Sequence, residues 1–415
     1  MLCLLLAGLC ALVSQSVTAQ RHRLFTPQLR TLRVEGGATD CGLPLLRLGT
    51  DDVLEISFDE LSHTYHRYVY RLTHCNADWT PSDLTEIDYQ EGFSPTPVYD
   101  SQPSAGSILP YTHYRFHVPD DELRPTRSGN YRLTVSEEDS DDSPVLEVCF
   151  AVVDAQVVVS ATVSGNTDID THATHQQVDI DLRHPDYPIR YPESELCVRV
   201  MQNHRWDTAV DLARPTYQQT GHLQYTHCPA LIFPAGNEFR RFELTDLHNG
   251  WQGIDHVRYF APCYHATLFT DEPRRRYSFD RDLNGAFVVR SLLASDSDTE
   301  ADYAFVHFSV YTGSPLSGGR LHLLGDFTYG WFDESTELAF HPESGCYEGV
   351  QLLKLGAYHY LYVFVPDGSS HGLTSPIEGD FSETENEYQV LIYHRPAGEW
   401  ADRLVGFATL TTAQE

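Results

Sequence analysis

Two stretches carry side chains whose types and spacing could hold a cation. Asp280-Arg-Asp-Leu-Asn-Gly285 reproduces the opening of an EF-hand loop, with acceptors at the first, third and fifth positions and glycine at the sixth. Calcium also needs a bidentate Glu at the twelfth position, and Ser291 stands there. Asn284-Gly285 suits the positive φ angles of a two-residue turn, so the stretch is read as a β-hairpin connection. The second stretch is Asp168-Ile-Asp-Thr-His-Ala-Thr-His175, followed by Asp179, Asp181, His184 and Asp186. No helical pattern aims His172 and His175 at one ion. Asp179 and Asp181 alternate with Val178, Ile180 and Leu182, which places them on the solvent face of a strand. With 21 histidines in the chain such groupings arise by chance, and neither a metal nor a cofactor is expected.

Other chemistry is equally thin. His-Glu-x-x-His, a nucleophile elbow, a phosphate-binding loop and a dinucleotide fingerprint are all missing. With 59 acidic residues, a pair of glycosidase carboxylates can be drawn anywhere and so carries no information. No catalytic residue is assigned, and the protein is read as a non-enzyme. Four tryptophans sit among polar neighbours: Trp79, Trp206, Trp251 and Trp331. They are read as corner packing, with each indole N–H satisfied by a nearby carboxylate. Cys3 and Cys10 lie in the leader described below. Cys41, Cys75, Cys149, Cys197, Cys228, Cys263 and Cys346 remain, with no Cys-x-x-Cys, which excludes a zinc ribbon and a thioredoxin motif. Disulfides are permitted and their pairing is left open; several of these positions read as buried thiols.

At the scale of the whole chain, 415 residues correspond to roughly two to four domains. A hydrophobic share of 41%, with 24 Tyr and 20 Phe, is ample for several packed cores. Leu2 to Val13 is apolar and Val17-Thr-Ala19 offers small residues for cleavage, so residues 1–19 are read as a signal peptide. The mature chain is expected to be soluble and exported. It carries the whole net charge of −31, which disfavours nucleic acid and anionic lipid. Lys354 is the sole lysine, read as a compositional bias.

The elements are β throughout. Leu54, Ile56 and Phe58 alternate with Glu55, Ser57 and Asp59 in a half-buried strand. Residues up to Gln28 read as a loose N-terminus, and Ser136 to Ser143 as the solvated tip of a hairpin. Tandem immunoglobulin-like β-sandwiches are expected over 20–154, 155–294 and 300–415, with 295–299 as a polar linker. In the last unit, Gly325-Asp-Phe327, Trp331, Gly356-Ala-Tyr-His-Tyr360 and Asp367-Gly368 resemble the early-set modules found beside starch- and glycogen-acting enzymes. That resemblance raises a periplasmic glycan-binding accessory protein as the alternative function. However, Leu361 stands where those modules place a lysine, and Ser369-Ser370 where they place a tryptophan. Tyr358, Tyr360, Tyr362 and Phe364 alternate with Leu361, Val363 and Val365, as in a strand buried on both faces. The module is therefore read as scaffold.

A longer series of motifs runs from about Leu29 to Phe407. It comprises His74-Cys-Asn-Ala-Asp-Trp79, Tyr111-Thr-His-Tyr-Arg115, Ser128-Gly-Asn-Tyr131 and Gln202-Asn-His-Arg-Trp-Asp207. Phe233-Pro-Ala-Gly-Asn-Glu-Phe-Arg240, Glu300-Ala-Asp-Tyr303 and Gly345-Cys-Tyr-Glu348 follow, then Glu383-Thr-Glu-Asn-Glu-Tyr388 and Asp402-Arg-Leu-Val-Gly406. In this order they resemble the plug family of the type IX secretion system; the acidic stretch Thr167 to His184 is the departure. The resemblance implies a periplasmic protein, held at the outer membrane through its partner. That partner would be the giant outer-membrane β-barrel translocon, whose periplasmic mouth the protein closes when no cargo is engaged. No partner-contact residue is assigned.

Overall fold

The computed structural model describes residues 21–38, 43–138, 143–248 and 252–412. The architecture is all-β, in three stacked sandwich units. In the first, one sheet orders Arg23–Leu24, Pro144–Val153, Gly129–Glu137, Tyr68–Cys75 and Thr96–Pro97. The facing sheet orders Leu29–Gly36, Leu54–Glu60, Thr112–Val118 and Asp100–Pro103. Ile56, Phe58, Tyr70, Leu72, Tyr131 and Phe150 are among the apolar residues filling the space between them. Strands Gly129–Glu137 and Pro144–Val153 pair antiparallel, as expected of a hairpin; tip residues 139–142 lie outside the described residues.

The middle unit departs from the expected chain division. Its sheets are Val158–Ser164, His175–Arg183, His222–Tyr225 and Tyr217–Gln219 on one side, and Val210–Leu212, Leu196–Gln202, Glu387–His394 and Arg403–Thr411 on the other. The last two strands of the chain thus return across the third unit, and Val198 and Val200 share a core with Val390 and Ile392. Conversely, Arg240–Leu244, Ile254–Phe260, Cys263–Leu268 and Phe287–Val289 join the nine-stranded sheet built by Tyr303–Tyr311, Gly319–Leu324, Glu337–His341, Cys346–Lys354 and Gly356–Pro366. The sheets therefore do not divide at 294–300: the third unit is an insertion between the two halves of the middle one. Alternation along one strand reveals its buried face but not its partner, and partners here are almost 200 residues apart.

Three smaller expectations change for the same reason. The 295–299 linker is instead a helical turn, Ser297–Glu300, started by the Asp296 carboxylate, which accepts from the Asp298 N–H at 3.0 Å. Its Thr299 carbonyl accepts from the Ala105 N–H of the first unit at 2.9 Å. The expected loose N-terminus supplies an edge strand, Arg23–Leu24, that pairs with Pro144–Val153. Ser57 and Asp59, expected on a solvent face, are each 1% exposed because the third unit covers that face. The strand Gly356–Pro366 is buried on both faces as expected, from Tyr358 to Phe364.

The insertion leads to a direct prediction. Removing residues 386–415 takes away Glu387–His394, the partner of Leu196–Gln202 along its whole length. Hydrogen exchange on a chain ending at Glu385 should then be fast across 158–234. Retained protection there would mean that the middle unit folds without its returning strands.

Candidate functional site

The residues that could do chemistry converge on the seams between units. Asp59 is the penultimate residue of Leu54–Glu60, and Lys354 is the last residue of Cys346–Lys354; both are 1% exposed. The Lys354 ammonium donates to Asp59 Oδ2 and to the Asp298 carbonyl, each at 2.6 Å. Tyr303 donates its hydroxyl to the same Oδ2 at 2.6 Å, and His113 Nδ1 lies 2.7 Å from Oδ1. Lys354 Nζ also sits 4.1 Å from the centroid of the Tyr111 ring. Burial alone would raise the Asp59 carboxyl, but the Lys354 charge and His113 outweigh it and hold it below its ordinary value. For Lys354 burial prevails over Asp59, and the ammonium is held below the usual lysine range. Chemically this is a satisfied buried ion pair joining the first and third units.

A second seam joins the first unit to the middle one. The Arg199 guanidinium, ion-paired to Asp211 at 2.6 Å, donates to the Ala77 carbonyl at 2.5 Å. The Ala77 N–H donates to Asp402 at 2.8 Å, and Arg395 donates to Asn76 Oδ1 at 2.5 Å. Asn130 accepts from the Tyr393 hydroxyl at 2.9 Å and donates to the Asn76 carbonyl at 2.9 Å. A third seam joins the middle and inserted units. Arg205 donates to the Gly372 carbonyl at 2.7 Å, while the Gly372 N–H donates to Asp207 at 3.0 Å. Inside the inserted unit, Glu378 is fully buried between Arg240 and Arg274, at 3.1 and 2.7 Å. Several residues of the motif series, among them Asn76, Ala77, Tyr111, Arg205, Tyr303 and Asp402, are therefore fasteners between units.

Where the three units meet, a cleft of about 330 Å³ remains, lined among others by Arg33, His204, Asn284, Phe287, Asp326 and Tyr329. Burial raises the Asp326 carboxyl above its ordinary range, offset slightly by His204. His204 Nε2 lies 2.8 Å from Glu387. Its Nδ1, the Arg33 Nε and the Asn284 Oδ1 are buried with no hydrogen-bond partner among the described residues. Such groups suit enclosed water. Among the described residues no Ser, Thr, Cys or Lys lines the cleft; its titratable groups include Glu35, His204, Asp207, Asp326 and Tyr329. Hydroxyl–imidazole pairs occur elsewhere, at Ser104–His63, Ser82–His74 and Thr336–His322. In these three the imidazole reaches no carboxylate among the described residues, whereas at Thr174–His175 and Tyr187–His394 it does, with Asp170 at 2.7 Å and Glu195 at 3.5 Å.

The acids and histidines singled out in the sequence are dispersed. Asp168 takes His227 at 2.9 Å, Asp170 takes His175 at 2.7 Å and Asp181 takes His222 at 2.6 Å. Asn284 and Gly285 adopt φ of 50° and 96°, and the Ala286 N–H donates to the Leu283 carbonyl at 3.0 Å. The turn forms, yet it closes no hairpin, because Phe287–Val289 pairs with Gly356–Pro366 instead. Asp282 accepts from the Phe239 N–H, and burial raises its carboxyl to about 6.

Trp79 is 1% exposed and meets Trp206 edge-on at 5.6 Å. The expected carboxylate on its indole N–H is missing, and that atom has no partner among the described residues. Trp331 gives its N–H to the His22 carbonyl at 2.7 Å, while Arg21 and Arg23 cover its ring at 5.0 and 4.7 Å. The Trp331 ring is thus covered by the chain's own N-terminal residues. Trp251 and Cys41 lie outside the described residues. Cys75, Cys197, Cys228, Cys263 and Cys346 are free thiols, and the buried Cys149 thiol donates to the Arg21 carbonyl at 3.6 Å. Cys75 and Cys149 share a cluster with Trp79 but lie on strands separated by Gly129–Glu137, so two interstrand spacings keep them apart. Sequence reasoning missed Lys354 and Asp59 as a pair. The available signal was a single lysine ending an apolar strand.

The profile described as type 9 secretion system plug protein 1st domain matches residues 29–154. The crystal structure of a hypothetical protein from Parabacteroides merdae ATCC 43184 is similar at 39% sequence identity with a TM-score of 0.92. The match covers 95% of this chain and 100% of that one. No curated protein matches.

Two measurements test the seams. Asp59→Ala leaves a buried ammonium without its carboxylate and should cost about 3–5 kcal/mol in urea unfolding, whereas Asp59→Leu with Lys354→Met should recover most of that loss. A cost below about 1 kcal/mol for Asp59→Ala would show that the pair is not desolvated. The second concerns pH. Burial lowers His74 and His359 from 6.5 to about 4. Between those values the unfolded chain binds protons that the folded one refuses, so stability should fall as pH drops from 6.5 towards 4. Each histidine contributes up to about 3 kcal/mol to that fall. Denaturation midpoints should decline across the window, and His74→Gln should make the decline shallower. An unchanged slope contradicts the assignment.

Proposed function

The chain belongs to the type 9 secretion system plug protein family, and on that premise we propose that it is a stopper for the system's outer-membrane translocon. In this reading the mature protein works in the periplasm after export by its leader. It binds the periplasmic opening of a giant β-barrel and closes it when no cargo is engaged. A barrel wide enough for folded cargo leaks small solutes, so an empty one needs a body that fills its mouth without deforming.

The observation that carries this reading is the set of polar fasteners between units, to which the motif series contributes Ala77 and Arg205. Lys354 with Asp59, Arg199 with Ala77 and Arg205 with Gly372 tie three sandwiches into one body. Stiffness, rather than a reaction, is what these residues supply. Release when cargo arrives favours a modest, polar contact over an obligate apolar one. The Trp331 ring that a glycan-binding accessory would use is covered by Arg21 and Arg23, which removes the main support for that alternative.

Affinity capture of the tagged protein from detergent-solubilised envelopes should recover a large outer-membrane barrel. Adding the purified protein to that barrel in a planar bilayer should lower its conductance. Repeated capture without a barrel, or an unaffected conductance, sinks the proposal.

A further inference from the structure

The chain carries 59 acidic against 28 basic residues, so most arginines have a carboxylate within reach. One surface breaks that pattern. Between Arg274 and Leu293 lie five arginines but only Asp280 and Asp282 as acids. Arg274 is bound to Glu378 and Asp280 is taken by Arg241. Arg275, Arg276, Arg281 and Arg290 are exposed, and none has an ion-pair partner among the described residues. In a molecule with carboxylates to spare, four unneutralised guanidinium groups on one short stretch mark a local excess of positive charge.

The same stretch exposes apolar side chains: Phe279 is 58% exposed, Leu283 51%, Val288 48%, Leu292 50% and Leu293 74%. Backbone contacts hold the stretch against the inserted sheet. Leu283 N–H donates to His359 Nδ1 at 3.3 Å, Val288 lies opposite Ala357, and Leu292 N–H donates to the Thr245 carbonyl at 2.9 Å. Residues 269–286 form no helix or strand, yet they are fastened at Arg274, Tyr277 and Asp282. A long irregular segment held this firmly is of the kind that proteins use for binding. Arginine interleaved with Phe and Leu is the composition of interface anchors, the guanidinium fork being matched to carboxylates.

From this we propose that the Arg275–Leu293 surface docks an acidic segment of the protein partner, with carboxylates on the four arginines and an apolar residue among Phe279, Leu283 and Leu293. A protein segment fits better than an anionic bilayer, because an extended negative plane would also face the acidic remainder of the molecule. The proposal rests on the stopper reading for the identity of the partner, and it adds which surface does the binding.

The test places a photocrosslinking amino acid in the full chain in cells, at Phe279, Leu283 or Leu293, and at Tyr65 and Ile169 as exposed controls on the other two units. Crosslinks to the barrel from the first three sites, mapping by mass spectrometry to a segment rich in Asp and Glu, are the expected result. Arg275→Glu with Arg276→Glu and Arg281→Glu should weaken co-purification about tenfold or more, the scale of losing one interface hot spot. Arg124→Glu should leave it unchanged. Barrel crosslinks from Tyr65 or Ile169 alone overturn the surface while keeping the stopper. Crosslinks to a neutral or basic segment overturn the charge argument. No barrel contact from any site sinks the stopper reading itself. Flotation of the purified protein with phosphatidylglycerol vesicles, lost in the triple variant, assigns the surface to lipid and overturns the proposal.

Discussion

An ammonium group removed from water costs several kcal/mol unless a negative charge and further hydrogen bonds meet it. Lys354 imposes that condition on the whole molecule. Its carboxylate comes from Asp59 of the first unit, its second acceptor is the Asp298 carbonyl, and Tyr303 and His113 complete the remaining valences of Asp59. The first unit supplies two of these groups and the inserted unit the rest. Only one relative position of the two units satisfies all of them. Replacing such a pair with apolar residues is often harmless to stability, whereas removing one partner alone is strongly destabilising.

The chain path turns that local condition into a global one. The chain leaves the middle unit after Ile232–Pro234, builds the inserted unit, and returns as Glu387–His394 to pair with Leu196–Gln202. The inserted unit is therefore anchored at both ends. Asn386, at the point of return, donates to the Ala235 carbonyl and to Gln176 at 2.8 and 2.9 Å, tying the outgoing and returning strands together. Displacing any one unit would break charge-assisted contacts at two of the three seams, those at Asp59, Ala77 and Gly372. Each buried polar contact that would be left unpaired raises the cost of any second arrangement.

Much of this is legible in the residues themselves. The alternation of Tyr131, Leu133 and Val135 and the double burial of Tyr358 to Phe364 follow directly from period-two patterning, which is a property of single strands. Pairing is not. Tyr388, Val390 and Ile392 look like any half-buried strand, and their place beside Val198 and Val200 depends on contacts formed across the inserted unit. Asp59 misleads by the same logic, since a carboxylate alternating with Phe58 reads as solvent-facing until a neighbouring unit covers it. Asn284-Gly285 is right as local turn chemistry and wrong as topology.

The division between inside and outside bears on how such a body works. Its buried pairs are weakly screened by salt, whereas exposed guanidinium groups lose their reach beyond about 8 Å at physiological ionic strength. An external contact built from the second kind can therefore be made and broken by competing charge while the first kind holds the body's shape. Glu378 between Arg240 and Arg274 sits at that boundary: its carboxylate is fully buried, and Arg274 opens the stretch whose next arginines are unpaired. The exposed segment is thus rooted in a buried charge of the inserted unit.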